Sequence, residues 1–460
     1  MKKILIFLLV TVFAVSMFFI GIGCKGETAP SQEAVEEEVM EEEAPAEVTD
    51  EPITIHFWSL AGPNNDWVVA WKNLYEAENP NVTINVTAHE SQAIMDIITP
   101  ALASGSEDLD LTFYWPGASI DTWARDGLLL DLSPYYEQYG WWDKKNQGGA
   151  QYLTDGAGEG GKGMFTFTTD WVTVPHYFYN TTIFEEVGIA PPETIDDLYT
   201  NAEALKAAGY EAWSAGVVDR WPVGGIFNDY LADIMPTEDF NKLVNWERDP
   251  NKSAETAEIF LHESVVEAWA FIRSLIDAGV FIEGANAMDD TAARQAFNNG
   301  ITAIYDSGSW TMGIFDSEAP DLTYSYYNLP PIDGRLTICS GYNGLSIPAS
   351  VSEEKIPVIM DLLDHSLLSD YSQAIFNIGA IPDNAVLTDS ELEALSPHPL
   401  LTQIIKDVVE FGDVGIIDAL QTPALRENYY DIIADIFDGN ITPEEAAQRM
   451  YEGALEILEQ

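Results

Sequence analysis

The chain has 460 residues, of which 47% are hydrophobic and 21% are charged, and its formal net charge at pH 7 is −56. A chain of this length is too long to fold around one hydrophobic core, so we expect two lobes. A charge this negative repels phosphate groups. It therefore excludes nucleic acid as a partner, and it excludes direct electrostatic binding to anionic lipid.

Residues 1–23 have the pattern of a secretory signal peptide. Lys2 and Lys3 precede an uncharged run, which ends in small residues just before Cys24. This junction resembles the lipobox of bacterial lipoproteins, except that Gly21 stands where that motif usually has Leu. The resemblance implies cleavage before Cys24 and a lipid, such as palmitate, on that residue. We expect an extracytoplasmic protein, in the periplasm or at the cell surface, held to the membrane only by this anchor. The alternative is a transmembrane anchor, because the run is long enough to span a bilayer.

Residues 24–52 form an acidic, low-complexity segment with eleven Asp or Glu residues and one Lys. Like charges at this density repel, and there is almost no apolar surface to offset the entropy of ordering. We expect a disordered tether, with a short acidic helix as the alternative. Most of the negative charge nevertheless belongs to the body that follows.

The body alternates strand and helix patterns, which predicts βαβ units and a largely parallel sheet. Its second half contains Thr194, with Asp197 in the capping-box position, at the start of a helix that ends near Gly209. The predicted strands are 53–57, 82–86, 109–113, 172–179 and 301–305, and the predicted helices are 66–78, 91–102, 120–125, 194–209, 255–278, 291–298 and a helical tail from 400.

Cysteine and histidine give no sign of a metal or a cofactor. If Cys24 carries lipid, Cys339 has no disulfide partner, and we expect it to be a small buried hydrophobic residue. The six His residues are scattered without metal-ligand spacing. We therefore predict no cofactor and no metal site.

Several segments together resemble the extracellular solute-binding proteins of sugar ABC importers, the maltose-binding-protein type. The likeness runs from about residue 53 to 382. Thr181 and Ile195 depart from the family pattern, which has Lys and Trp there. The segments that carry it are ITIHFW (53–58), LDLTFY (109–114), WARDGLLLDL (123–132), YNTTIFEEVGIAPPETI (179–195), AFNNGITAIYDSGSW (296–310) and NGLSIP (343–348).

The resemblance implies an α/β fold of two lobes joined by crossing strands, with the ligand in the cleft between them. Residues 53–167 and 338–378 would form lobe 1, and residues 168–337 and 379–460 would form lobe 2. It also implies a non-enzymatic binding protein that closes by a hinge and delivers its solute to an ABC permease. We expect it to be a monomer.

A sugar presents an apolar ring face and a rim of hydroxyls, so its site needs aromatic side chains beside polar ones. In open α/β sheets such residues lie on the loops after strands. The resemblance places stacking aromatics at Tyr114 and Trp310 and an acidic group at Asp170. The full predicted ligand-binding set is Trp58, Ser59, Asn64, Glu90, Tyr114, Trp115, Asp170, Trp171, Arg220, Trp221, Trp310, Tyr342 and Asn343.

Other interpretations remain open at this point. Many of the 13 Trp residues belong to the core, and we expect Trp67, Trp71 and Trp269 to pack on helix faces. The solute could instead be a peptide, polyamine or polyol, because one fold serves many ligands. A glycan-processing enzyme would need two carboxylates at a set separation, which so acidic a sequence can neither support nor exclude. A receptor that only signals has the same sequence features.

Overall fold

A computed structural model describes residues 51–145, 153–155, 161–385, 388–396 and 398–459. The predicted signal peptide and almost all of the predicted tether lie outside these residues. Among the helices described, none combines the length and apolar character needed to cross a membrane.

The strands described fall into two main sheets and one small two-stranded ribbon. They are β1 (Ile53–Leu60), β2 (Val82–His89), β3 (Leu111–Tyr114), β4 (Thr154–Asp155), β5 (Lys162–Gly163), β6 (Phe167–Thr173), β7 (His176–Asn180), β8 (Glu211–Ser214), β9 (Thr302–Ser307), β10 (Tyr324–Tyr327), β11 (Ile338–Ser346), β12 (Ile381–Pro382) and β13 (Asp413–Val414).

Helices cover both sheets and make up the C-terminal part of the chain. They are α1 (Pro63–Glu78), α2 (Ser91–Ser104), α3 (Ala118–Arg125), α4 (Ser133–Tyr139), α5 (Trp141–Lys144), α6 (Thr181–Val187), α7 (Ile195–Ala208), α8 (Trp221–Ile234), α9 (Thr237–Val244), α10 (Ala254–Ala257), α11 (Glu263–Asp277), α12 (Asp290–Asn298), α13 (Thr311–Glu318), α14 (Ile356–His365), α15 (Ser369–Phe376), α16 (Asp389–Leu395), α17 (Pro399–Phe411), α18 (Ile417–Leu420), α19 (Pro423–Asp438) and α20 (Pro443–Glu459).

The larger sheet has the order β12–β6–β11–β3–β1–β2, with β13 paired to β11, and the smaller has the order β10–β7–β9–β8. We call the part built on β1–β3 the first lobe and the part built on β7–β10 the second lobe. Among the strands that the structure describes, the parallel pairs are β1–β2, β1–β3, β8–β9 and β11–β13. The prediction of a largely parallel sheet was therefore wrong, because the strands that connect the lobes pair antiparallel to their neighbours.

The connections between the lobes run along β6, β11 and β12. Strand β6 pairs with β11 in the larger sheet, and the chain then enters β7 in the smaller one. The predicted strand 172–179 is thus two strands, interrupted at Val174 and Pro175, because proline has no backbone N–H for a sheet ladder. The domain boundaries predicted at 167, 337 and 378 fall at the start of β6 and of β11 and shortly before β12.

Other predicted elements are close to the observed ones, with one exception. The capping box of Thr194 and Asp197 is present at the start of α7. The predicted helix 255–278, however, is broken into α10, a 3-10 turn and α11. The chain leaves helical geometry at His262, whose ring nitrogen accepts a hydrogen bond from the backbone N–H of Ser264 and so caps α11.

The cores of both lobes are rich in buried tryptophan. Trp67 and Trp71 are buried under the larger sheet, and Trp269 stacks on Phe227 with ring centroids 4.0 Å apart. These three were predicted as core residues, and their burial confirms it. Cys339 is a free, buried thiol, also as predicted.

Candidate functional site

Strands β6 and β11 form an antiparallel pair that links the two lobes, with a shift of register between Asn343 and Gly344. At one end, Gly344 of β11 pairs with Tyr114 of β3. At the other end, Ser340 pairs with Thr173, whose carbonyl accepts a hydrogen bond from the backbone N–H of Ser309 at 3.0 Å. Four residues of extended strand, roughly 13 Å, separate these ends. The loop after β3 and the turn after β9 therefore lie at opposite ends of one strand pair.

Two half-buried tryptophans stand together on the second lobe. The rings of Trp221, at the start of α8, and Trp310, just before α13, have centroids 5.6 Å apart and a tilt of 53°. The Trp310 ring lies over Gly308, where an added Cβ would be only 1.8 Å from it. Glycine at 308 is thus required for this ring position. The sequence prediction brought both tryptophans to the same site.

Arg220, next to this pair, has an unusual backbone conformation. Its φ of 66° and ψ of −47° resemble the rare, strained γ-turn, and strain of this kind concentrates at functional sites. Its guanidinium donates to the carbonyls of Val217 and Val218 in its own turn. In this conformation the side chain therefore fixes the turn before Trp221.

The first lobe contributes aromatic residues after β3. Tyr114 is only 2% exposed and packs against Trp123, with centroids 4.7 Å apart. Trp115 is half-buried and makes edge contacts with Phe113 and Tyr114. Of the two predicted residues in this loop, Trp115 is therefore the one that presents a ring surface.

The predicted residues near β1 and β2 have mixed environments. Trp58 packs on His89 with centroids 4.7 Å apart, and partial burial lowers the pKa of His89. Ser59 has no exposed surface, and Asn64 accepts a hydrogen bond from an indole within α1. Glu90 is exposed at the start of α2. These residues lie at or just after the C-terminal ends of β1 and β2.

Asp170 lies in a buried polar cluster between β6 and β11. Its carboxylate accepts hydrogen bonds from Thr169 and Asn343, each at 2.7 Å. Nearby, the ammonium of Lys145 lies 3.1 Å from the Asp383 carboxylate. Burial raises the pKa of Asp170 to about 6. Asp170 has no exposed surface, so in this conformation it organises the crossing strands rather than meeting a ligand.

Trp171 and Tyr342 occupy paired positions on β6 and β11 and are both half-buried. Trp171 packs beside a small hydrophobic cluster that includes Ile381 and Leu401. The crossing strands β6 and β11 therefore carry aromatic residues at the positions next to Asp170 and Asn343.

A cavity of about 580 Å³ lies between α3 of the first lobe and residues 239–259 of the second. Asp121 of α3 and Arg248 of the second lobe border it and form an ion pair, with Nε and Oδ2 2.7 Å apart. Thr154 donates to the same carboxylate at 2.8 Å. This ion pair joins the two lobes directly.

Sequence reasoning missed a group of residues where α3 meets α18. At Gly117, an added Cβ would be 2.9 Å from the Ala419 carbonyl, so the two backbones are in contact. Close by in sequence, the side chains of Ser119, Gln421 and Arg426 are at most 4% exposed. Each has a buried polar atom without a hydrogen-bond partner among the described residues. The only signal in the sequence was the rarity of basic residues, of which Arg426 is one of 20.

A model of the family described as bacterial extracellular solute-binding protein matches residues 60–364, which is more than half of the chain. The chain belongs to this family. The family, the two-lobed fold and the absence of enzymatic activity are thereby confirmed as predicted.

Curated relatives of this solute-binding protein are distant. A putative binding protein of Brucella abortus is 22% identical over 295 residues, covering 64% of this chain and 67% of the relative. The multiple sugar-binding protein of Streptococcus mutans is 21% identical over 286 residues, covering 61% and 63%. A xylose/arabinose-binding protein of Haloferax volcanii is 22% identical over 276 residues, covering 57% and 54%.

Solved structures share the fold of this solute-binding protein across nearly their whole length. A chitin oligosaccharide binding protein superposes with a TM-score of 0.73 at 18% identity, covering 88% of this chain and 98% of the other. A maltose-bound protein of T. maritima gives 0.70 at 16% identity, covering 88% and 99%.

This solute-binding protein is the substrate-binding component of an ABC importer and works outside the cytoplasm. Its partners are a small-molecule solute and a membrane permease. The contact at Gly117 and the Asp121–Arg248 ion pair both join the two lobes of this protein.

Proposed function

We propose that this solute-binding protein captures a sugar or short oligosaccharide between its two lobes and delivers it to the permease. The Trp221–Trp310 pair carries the proposal. Half-buried indole rings at a lobe boundary offer an apolar face on which a sugar ring stacks. The pair follows the strained turn at Arg220. Backbone strain of this kind clusters at functional sites, and packing a tryptophan into a core does not require it.

The first lobe supplies the opposing surface in this proposal. Trp115 would stack on the far face or the next unit of the sugar, with Tyr114 fixing the Trp115 ring from behind. The separation of roughly 13 Å along β11 suits a ligand of more than one ring. Among the remaining predicted residues, Trp58, Asn64, Glu90, Trp171, Tyr342 and Asn343 are candidates for polar or aromatic contacts.

The names of the similar proteins point the same way. Sugars appear in the names of the Streptococcus mutans and Haloferax volcanii relatives and in the descriptions of the solved structures. A neighbouring structure is described as a solute receptor that prefers β-D-galactopyranose, with a TM-score of 0.71 at 14% identity. These proteins differ in their sugars, so they support the ligand class and leave the individual sugar open.

We also propose that the protein is a monomeric lipoprotein. Lipid on Cys24 would hold it at the membrane, and the acidic segment up to residue 52 would let the body reach the permease. A hinge in β6, β11 and β12 would open the cleft, because these strands carry the chain between the lobes.

The test is thermal unfolding of the protein with a panel of solutes. The panel holds monosaccharides, maltose, raffinose and chitin and xylan oligosaccharides, with spermidine, a tripeptide and sorbitol as the non-sugar arm. A ligand at 100 times its Kd stabilises the folded state by about 2.7 kcal/mol, which is visible as a higher melting temperature. A shift with spermidine, the peptide or sorbitol, and with none of the sugars, would refute the proposal.

A further inference from the structure

Four buried polar atoms near the α3–α18 contact have no hydrogen-bond partner among the residues that the structure describes. They are Oγ of Ser119, Oε1 of Gln421, and Nε and Nη2 of Arg426. All three side chains are more than nine-tenths buried. Buried polar groups nearly always have partners, so several orphans in one place point to a ligand that supplies them.

The backbone contact between Gly117 and residues 419–420 brings together the two chain segments that hold these residues. Ser119 lies between Gly117, which contacts the backbone of α18, and Asp121, which pairs with Arg248. Gln421 follows α18 directly, ahead of Thr422, and Arg426 is one helical turn further on. The three residues therefore belong to the contact between the lobes, near the Asp121–Arg248 ion pair that borders the cavity.

Glu247 ties the second-lobe part of this group in place. Its carboxylate accepts a hydrogen bond from the backbone N–H of Thr422 at 2.8 Å, and the next residue, Arg248, forms the ion pair with the first lobe. Gln421 and Arg426 are thereby anchored to the same turn that holds the first lobe. The backbone around Gln421 and Arg426 is therefore held by the Glu247–Thr422 hydrogen bond and the Asp121–Arg248 ion pair, and the unpaired side-chain atoms take no part in these contacts.

The charge of Arg426 is already balanced within the protein. Burial raises the pKa values of Glu247 and Asp418, and in both cases the nearby Arg426 guanidinium opposes the rise. The two carboxylates accept hydrogen bonds from other groups: Glu247 accepts from the backbone N–H of Thr422, and Asp418 accepts from the Tyr430 hydroxyl at 2.7 Å. Among the described residues, Arg426 therefore lacks acceptors for Nε and Nη2 rather than a negative charge.

We propose, resting on the sugar-binding function above, that Ser119, Gln421 and Arg426 form a subsite for adjacent hydroxyl groups of a neutral sugar unit. A hydroxyl both donates and accepts, so it can accept from the N–H groups of Arg426 and donate to Oε1 of Gln421. A carboxylate or phosphate is acceptor-only when ionised and would leave the Gln421 oxygen unpaired. The subsite thus selects a neutral sugar over its uronate or phosphate.

The test measures binding to the full protein by calorimetry, with matched probes. These are D-galactose against D-galacturonate, D-glucose against D-glucuronate, and maltose, raffinose and chitin oligosaccharides. The variants are Arg426→Met and Gln421→Met, which keep side-chain length and remove the polar atoms. Arg449→Met is the control, because Arg449 pairs with Asp435 on the surface, in the second lobe.

We expect the neutral sugar that binds the wild type to bind each subsite variant at least tenfold more weakly, and the control with unchanged affinity. Without added sugar, Gln421→Met should melt no earlier than the wild type, because the unpaired Gln421 oxygen contributes no hydrogen bond to lose. Arg426→Met should melt earlier, because it also removes the positive charge beside the buried carboxylates of Glu247 and Asp418. Tighter binding of a uronate than of its neutral sugar, or unchanged affinity in Arg426→Met, would overturn the subsite and leave sugar binding intact. Binding of none of the sugars to the wild type would instead refute the proposed function, and the subsite with it.

Discussion

Replacing Trp310 with alanine separates a ligand-binding ring from a core ring. Trp310 is half-buried, and its ring packs against that of Trp221, which is also half-buried. Stacking adds about 0.5–1.5 kcal/mol beyond burial, and truncating a central aromatic often costs about 2 kcal/mol or more. At about 1.4 kcal/mol per tenfold, sugar affinity should fall by roughly 30-fold. Loss of fold stability should stay well below the roughly 3–5 kcal/mol of a buried tryptophan.

The assay pairs calorimetric titration of the bound sugar with thermal unfolding of the sugar-free protein. Trp269→Phe is the matched control, since Trp269 is fully buried and stacks on Phe227. The control should melt earlier and bind with unchanged affinity, which is the reverse of the Trp310 variant. If Trp310→Ala binds sugar like the wild type but melts far earlier, Trp310 is a core residue and the aromatic site is misplaced.

Three further predictions concern the anchor, the tether and a buried carboxylate. Cys24→Ser should move the protein from the membrane fraction to the soluble fraction, and continued membrane association would favour a transmembrane anchor. A chain starting at Glu51 should bind sugar and melt like the full protein, because so acidic a segment offers no core; a marked loss of stability would contradict this. Burial raises the pKa of Asp306 to about 7, so the folded state binds more protons than the unfolded state between about pH 4 and 7, and this group destabilises the fold progressively as pH rises through that window. Asp306→Asn should therefore raise the melting temperature relative to the wild type more at pH 8 than at pH 4, whereas an equal shift at both pH values would show that the carboxyl does not titrate there.

Local signals in the sequence located most of the fold. The capping box at Thr194 and the alternating strands of the first lobe depend on neighbouring residues, so they were visible without tertiary information. The break at His262 was not, because hydrophobic periodicity continues across it while one residue adopts an extended backbone. Strand direction was missed for a similar reason, since antiparallel crossing strands arise from the path between lobes.

The candidate site was predictable where it follows strand ends and unpredictable where it depends on contacts between lobes. Trp221 and Trp310 stand at the starts of helices, beside turns that the sequence indicates. Asp170 also lies on a strand that the sequence indicates, but it is buried beside Asn343 and close to a lysine. The sequence does not show this burial, because it depends on the register between β6 and β11. Arg426 sits more than 300 residues from Ser119, and no local pattern connects them.

The orphan atoms at the lobe boundary bear on how binding and closure are coupled. Each buried polar group without a partner costs about 1–3 kcal/mol. In the proposed closure, bringing the lobes together around Ser119, Gln421 and Arg426 would therefore be costly until sugar hydroxyls occupy the subsite. Moving a two-state equilibrium from 1:99 to 99:1 takes about 5.5 kcal/mol, which a few such groups supply. The Asp121–Arg248 ion pair acts in the opposite sense by favouring contact between the lobes. A sugar that satisfies the orphan groups would therefore remove the main cost of closure while the ion pair remains. Capture of the solute and closure of the lobes would then be one thermodynamic event.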